Sequence, residues 1–172
     1  MKTFKYKSFE NYKAIQIARS DHKFEFNKLS IKEVVLFEKI LSKQNHKVNN
    51  IICLGSRNGT EIDYFRVIFF YNFIFRFVII FGELKKRGFY NLFIKLFKRG
   101  RTKLKNLEKN KFNVIGNDIN PRSKREDTII CSFDDFESKY YGCFDLVYSN
   151  SFDQSIYPYK SLDTWNKLLK KN

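Results

Sequence analysis

Four short apolar runs, each ending in small or polar residues, set the rhythm of this chain. They fall at 50–55, 113–120, 128–133 and 144–150, and each reads as a strand. Helical patterns lie between and before them. Residues 1–30 are polar with spaced aromatics at Phe4, Tyr6, Phe9 and Tyr12. Phe9, Tyr12, Ile15 and Ile17 can form one helical face, with Gln16 and Arg19 on its rim. Residues 31–44 read as an amphipathic helix. Ser30 and Glu33 have the spacing of a capping box, and Val34, Val35, Phe37, Ile40 and Leu41 make a broad apolar face. Lys43 to Asn50 is a polar loop. Pro158 opens a last helix over 159–170, with Leu162, Trp165, Leu168 and Leu169 inward. Strands interleaved with helices predict an α/β fold with a parallel sheet.

The first strand ends in Leu54-Gly55-Ser56-Arg57-Asn58-Gly59-Thr60-Glu61. Glycines in such a turn let backbone approach a ligand closely, and amides at the start of the next helix point outward to receive polar ligand atoms. The second strand ends in Asp118, where an acid can accept hydrogen bonds from ribose hydroxyls. Together the two segments predict a nucleoside-binding half-site.

The helix after the turn should end within about 15 residues. Instead, Val67 to Phe81 is an apolar run of 15 residues with Arg76 near its middle. It is shorter than the roughly 17–25 residues of a membrane span. On a helix Asn72, Arg76 and Glu83 share one side, which suits burial against protein. A helix lying in a membrane interface, a strand-rich insertion and a true span are the other readings. Residues 83–111 then carry eleven lysines and arginines against two acids, interleaved with Leu84, Phe89, Leu92, Phe93, Leu96 and Phe97.

Composition narrows the class. A chain of 172 residues, 43% hydrophobic and 30% charged, is one globular domain with a core. Its parts are a helical lead-in (1–48), a core (49–65 and 112–172) and an insertion (66–111). The net charge of +15 favours anionic partners: nucleic acid, acidic lipid headgroups or phosphorylated substrates. A solvated lysine-rich surface accounts for it equally well. Cys53, Cys131 and Cys143 have no metal-ligand spacing, and their odd number argues against a disulfide framework. They read as reduced thiols of a cytoplasmic protein, the first two buried. His22 and His46 read as surface residues. The basic start, Met1 to Lys7, lacks the apolar segment of a secretory signal.

These motifs, in this order, resemble the class I S-adenosylmethionine-dependent methyltransferases. The matching pieces are Leu54–Glu61, Ile115–Pro121, Ile130–Phe136 and Phe144–Asp153, with Tyr6–Gln16 similar to the helical lead-in. The resemblance implies a Rossmann-like sheet of order 3-2-1-4 and S-adenosyl-L-methionine as cofactor. It implies that Gly55, Ser56, Arg57, Asn58 and Gly59 face the methionine part, and that Glu61 meets its amino group or orders the turn. Asp118 would hold the ribose, Ile119 would pack on the adenine, and Ser132 and Phe133 would border it. Many members have an acid where this chain has Ser132. Ser149, Asn150 and Ser151 would line the mouth where methyl is delivered to a small-molecule acceptor such as a sugar. Methyl transfer needs alignment more than strong acid–base groups. Asn150 and Asp153 are the catalytic candidates, Asp153 as the base if one is used. Asp145 is expected to order the strand entry.

Two features depart from the family. Its sheet has seven strands, so here the later strands are missing and Phe144–Ser149 is left as an edge. The insertion or a second copy would cover that edge. The distance from Gly59 to Asp118 far exceeds the usual roughly 20 residues, so 66–111 must loop out. An alternative function lies in that segment: a degenerate core that binds a membrane surface or nucleic acid through 67–111.

Overall fold

The computed structural model describes residues 6–24, 29–70 and 113–171. The basic stretch 83–111 and residues 71–81 of the apolar run lie outside them. The described elements are α1 (Phe9–His22), α2 (Ile31–Lys43), β1 (Asn50–Leu54), α3 (Thr60–Phe70), β2 (Asn113–Asp118), β3 (Thr128–Ile130), β4 (Leu146–Ser149) and α4 (Pro158–Leu168). The strands form one parallel sheet in the order β3-β2-β1-β4, the predicted Rossmann-like arrangement. Among the described residues no helix is long and apolar enough to cross a membrane.

β1 is central, so both its faces are buried and its sequence is continuously apolar. Ile51 and Cys53 face one layer, with Ile31 and Val34 of α2 and Ile62, Phe65 and Ile68 of α3. Ile52 and Leu54 face the other, with Ile115, Phe136, Tyr140, Phe144 and Leu168 of α4. The first four residues of the long apolar run belong to α3: Val67 and Ile68 are buried, and Phe69 and Phe70 pack on the same layer. Phe65 stacks on Phe37 at 6.3 Å and meets Tyr148 at 5.0 Å, tying α2, α3 and β4 together.

The capping box is present: Glu33 N donates to Ser30 Oγ, and Ser30 N donates to Glu33 Oε2 at 2.7 Å. Three helix faces differ from expectation. On α2 Ile40 is 45% exposed, because the helix packs along Ile31 and Val34 instead. On α1 the buried pair is Tyr12 and Gln16, so Gln16 is inward rather than on the rim. On α4 Leu162 is 48% exposed and the inner face is Ser161, Thr164 and Leu168. Ser161 is held there by the Ser155 hydroxyl, its Oγ 2.7 Å from Ser155 Oγ. The strands are also shorter than their apolar runs. β2 stops at Asp118 because Asn120 caps a 3-10 turn at Pro121–Ser123, its Oδ1 accepting from Arg122 N. β3 stops at Ile130, which leaves Cys131 only half-buried.

Of the expected edge at 144–149, Phe144 is covered by the chain itself. After α4 the chain turns back along Phe144: Phe144 N donates to Leu168 O, Lys170 N donates to Phe144 O, and Leu169 bridges Phe144 in parallel. Leu169 is therefore past the helix, not on its inner face.

Asp145 orders the strand entry as expected. Its Oδ2 accepts from the amides of Asn49 and Asn50 at 2.9 and 2.8 Å, and its Oδ1 lies 2.8 Å from Lys170 Nζ. Burial pushes this carboxyl up, but Lys170 and the two amides outweigh it and hold it below the usual aspartate range. Asp145→Ala is expected to destabilise the fold by about 2 kcal/mol at pH 7, since two amides lose their acceptor. A depressed carboxyl contributes its stability above the unfolded-state value and loses it as pH falls. The gap between wild type and variant should therefore close below about pH 4. Urea unfolding at pH 3 and pH 7 measures both.

Candidate functional site

The carboxyl ends of β1, β2 and β3 open on one cleft, the place where ligands bind in sheets of this type. Its floor starts at Gly55, in left-handed backbone with φ +73°. A side chain there would press on Ser151 at 2.9 Å and Phe133 at 3.3 Å, so the close approach requires glycine. The turn is bound to β2, with Gly55 N and Ser56 N both donating to Asn117 O. Arg57 is also left-handed, at φ +43°. Its amide donates to Asp118 Oδ2 at 2.9 Å, and its guanidinium donates to Lys23 O. Gly59 N goes to Ser56 O and Thr60 N to Asn58 Oδ1. The turn's amides are thus directed into the protein more than the sequence suggests.

Asp118 is buried at the tip of β2. Its Oδ1 accepts from Asn120 N at 2.8 Å and its Oδ2 from Arg57 N. Burial pushes the carboxyl above the usual aspartate range, and the amides of Asn120 and Arg57, with a smaller pull from the Ser123 hydroxyl, oppose that. A carboxylate has about four acceptor positions, so these donors leave room for a ligand hydroxyl.

The cleft has a volume of about 340 Å³, at the small end of the roughly 300–1,000 Å³ of ligand pockets. Gly55, Arg57, Asp118, Ile119, Ser132, Phe133 and Asp153 line it. All seven are candidates from the four motifs, brought together from distant parts of the chain.

The wall that sequence reasoning missed is α1 with its C-cap: Tyr12, Gln16, Arg19, Ser20 and Lys23 line the cleft, as does Gln154, while Ser151, expected at the mouth, lines it too. The available signal was a polar residue every fourth position, Gln16 and Ser20 following Tyr12. α1 is fastened over the cleft by Asn120 Nδ2 donating to Asp21 Oδ1 at 2.9 Å and by Arg122 stacked over Phe24 at 4.2 Å. Gln16 is 4% exposed, and its Oε1 has no partner among the described residues, nor has the buried Ser20 Oγ.

Ser132 has an acid as its side-chain partner. Ser132 Oγ donates to Asp134 Oδ1 at 2.6 Å, and both side chains are buried. With its proton committed to Asp134, the Ser132 oxygen is left to accept from a ligand. Trp165 of α4 holds this segment, donating to Phe133 O and meeting the Phe133 ring edge-on at 5.9 Å.

Ser56, Asn58, Gly59, Glu61, Ser149 and Asn150 do not line the cleft. Ser56 Oγ donates to Asn117 O, and Asn58 Oδ1 caps α3 through Thr60. Gly59 packs against Arg125. Ser149 Oγ donates to Leu54 O and accepts from Ser151 N. Asn150 bridges two groups: its Nδ2 donates to Glu61 Oε1 at 2.6 Å, and its Oδ1 accepts from Ser151 Oγ at 3.0 Å. Burial pushes the Glu61 carboxyl up to about 7, against the pull of Arg57 and Asn150. The buried acid thus reaches the cleft wall through Asn150 and Ser151. Asp153 is exposed at the rim. No family model, no curated protein and no solved structure matches this chain, which stands as a Rossmann-like α/β protein by its sheet order and by the cleft at its strand ends.

Proposed function

We propose that the cleft binds S-adenosyl-L-methionine and that the protein passes its methyl group to a small-molecule acceptor such as a sugar. The observation that carries this reading is Asp118, buried at the strand tip where it lines the same cleft as Gly55, with acceptor positions left beyond its two amide donors. The other residues fit the same ligand. Ile119 and Phe133 offer apolar surface for a purine, Ser132 offers an acceptor for its amino group, and Gln16 Oε1, without a partner among the described residues, offers another. The cofactor would supply a methyl group on a sulfonium, which needs no general acid to leave. The chain's task is alignment and exclusion of water, which falls to Gly55, Ser151 and the α1 wall. Asp153, exposed at the rim, would take a proton from an acceptor hydroxyl.

Calorimetric titration with S-adenosylmethionine tests the proposal. Saturable binding is expected, weakened at least tenfold by Asp118→Ala, a loss of about 1.4 kcal/mol or more. A well-folded wild type that binds none overturns the reading.

A second reading rests on charge. Residues 83–111, with eleven cations against two acids, carry nine of the fifteen net positive charges. An anionic membrane surface or nucleic acid is the partner this favours. Flotation with anionic and neutral vesicles, and titration with nucleic acid, both at about 0.15 M salt, decide it. Binding to neither removes this reading.

A further inference from the structure

Arg125, in the loop between β2 and β3, makes five hydrogen bonds with its guanidinium. Nε donates to Asp127 Oδ1 at 2.9 Å, and one terminal nitrogen donates to Asp127 Oδ2 and Asp63 Oδ1 at 3.1 and 3.0 Å. The other donates to Asn58 O at 2.9 Å and Asp63 Oδ2 at 3.4 Å. A guanidinium has five N–H donors in one plane, so every one is engaged. Its two carboxylates fix it from α3 and from the entry to β3. The fifth bond reaches the backbone of the glycine turn.

The same group explains Gly59. This residue lies at φ +81°, and a Cβ there would overlap the Arg125 guanidinium. Gly59 does not line the cleft, so its lack of a side chain serves Arg125 rather than a ligand. Beyond Asn117 O, which takes the Gly55 and Ser56 amides, the turn is held at two further points. Asp118 holds the Arg57 amide on the cleft side, and Arg125 holds the Asn58 carbonyl and fills the space beside Gly59.

We infer that Arg125 is a positioning residue of the cleft, setting the path of residues 55–60 without touching the ligand. The inference rests on the cofactor reading only for the ligand used below. Lysine cannot replace arginine here, because three tetrahedral donors cannot meet two carboxylates and a carbonyl lying in one plane.

Arg125→Lys keeps the charge and is the variant to make. Two readouts separate positioning from general support. The first needs no ligand: amide hydrogen exchange. The amides of Gly55, Ser56, Arg57, Gly59 and Thr60 all have protein acceptors and should be protected in the wild type. In the variant they should exchange at least tenfold faster, while the β1 amides keep their protection. Unchanged turn protection overturns the inference, and so does a uniform loss across turn and sheet.

The second readout compares S-adenosylhomocysteine with adenosine. The variant should bind the former at least tenfold more weakly and adenosine within about threefold of wild type, because Asp118, Ile119 and Phe133 hold the nucleoside. Equal losses for both ligands, or no loss, overturn the inference. A wild type that binds neither ligand defeats the cofactor reading; the exchange result then decides the role of Arg125 by itself. Gly59→Ala, whose Cβ would overlap the guanidinium, should reproduce the turn-specific exchange.

Discussion

Glu61→Gln should make the protein more stable at pH 8, by roughly 3 kcal/mol, and should remove most of its stability change between pH 5 and 8. Glu61 is 3% exposed, its Oε1 accepts from Asn150, and its Oε2 has no partner among the described residues. Burial raises its folded-state value to about 7, whereas an unfolded glutamate titrates at about 4.3. Below about pH 4.3 both states hold the proton and the site carries no penalty. Between there and about 7 the unfolded chain releases its proton and the folded chain retains it, so stability falls as pH rises. Above about 7 the loss is complete. Glutamine never ionises, and it keeps an oxygen for Asn150. Urea midpoints of wild type and variant should converge near pH 4 and diverge to their full extent by pH 8. Parallel midpoints across that range would assign the titration to another group.

The same variant decides what Glu61 is for. Under the cofactor reading it either meets the ammonium of the methionine part or orders the turn. An ammonium partner requires the carboxylate, so Glu61→Gln would gain stability and lose affinity for S-adenosylmethionine at pH 8, a trade common where a site is held in an unfavourable state. Gained stability with unchanged affinity assigns Glu61 to the turn through Asn150 and Ser151.

What could be read from the sequence was local. The strand runs, the turn after Leu54, the Ser30–Glu33 box and the acid at Asp118 all show in a few consecutive residues, and the structure has them in place. Asp145 was legible because an acid at a strand entry has amides within reach. Periodicity failed where a helix faces something other than an apolar core. α1 turns Tyr12 and Gln16 toward a polar cleft, so its inner face is not its most apolar one. α4 turns Ser161 and Thr164 inward, Ser161 against the Ser155 hydroxyl, and leaves Leu162 out. The acid behind Ser132 was visible in the sequence at Asp134, but its use depends on a turn that brings the two side chains to 2.6 Å. Least legible was the charge cluster under the glycine turn, because its members come from positions as far apart as Asn58 and Asp127.

Removing the centre of that cluster should be the most damaging single change. Asp127→Ala is expected to destabilise the fold by about 3–5 kcal/mol at neutral pH, the range for stripping one partner from a buried ion pair. Asp127 is fully buried, and its two oxygens hold Arg125 and Arg66 at 2.9 and 3.0 Å. Two guanidiniums and two carboxylates balance in the native cluster. Without Asp127, Asp63 alone faces both arginines, which are themselves largely shielded from water. One positive charge is left uncompensated where solvent cannot screen it, so added salt should restore little. Arg66 keeps its bond to Val114 O at 2.8 Å, which pins its charge in place rather than letting it swing outward. Asp127→Asn keeps an acceptor but not the charge and should fall between wild type and alanine. Urea unfolding reads the effect as a lower midpoint at unchanged slope. A loss under about 1 kcal/mol would mean that the arginines escape to solvent. The two classes of variant also separate by where they act. Arg125→Lys keeps the cluster's charge and should loosen the turn alone, whereas Asp127→Ala unbalances the junction of α3, β2 and β3 and should lower protection across the whole sheet.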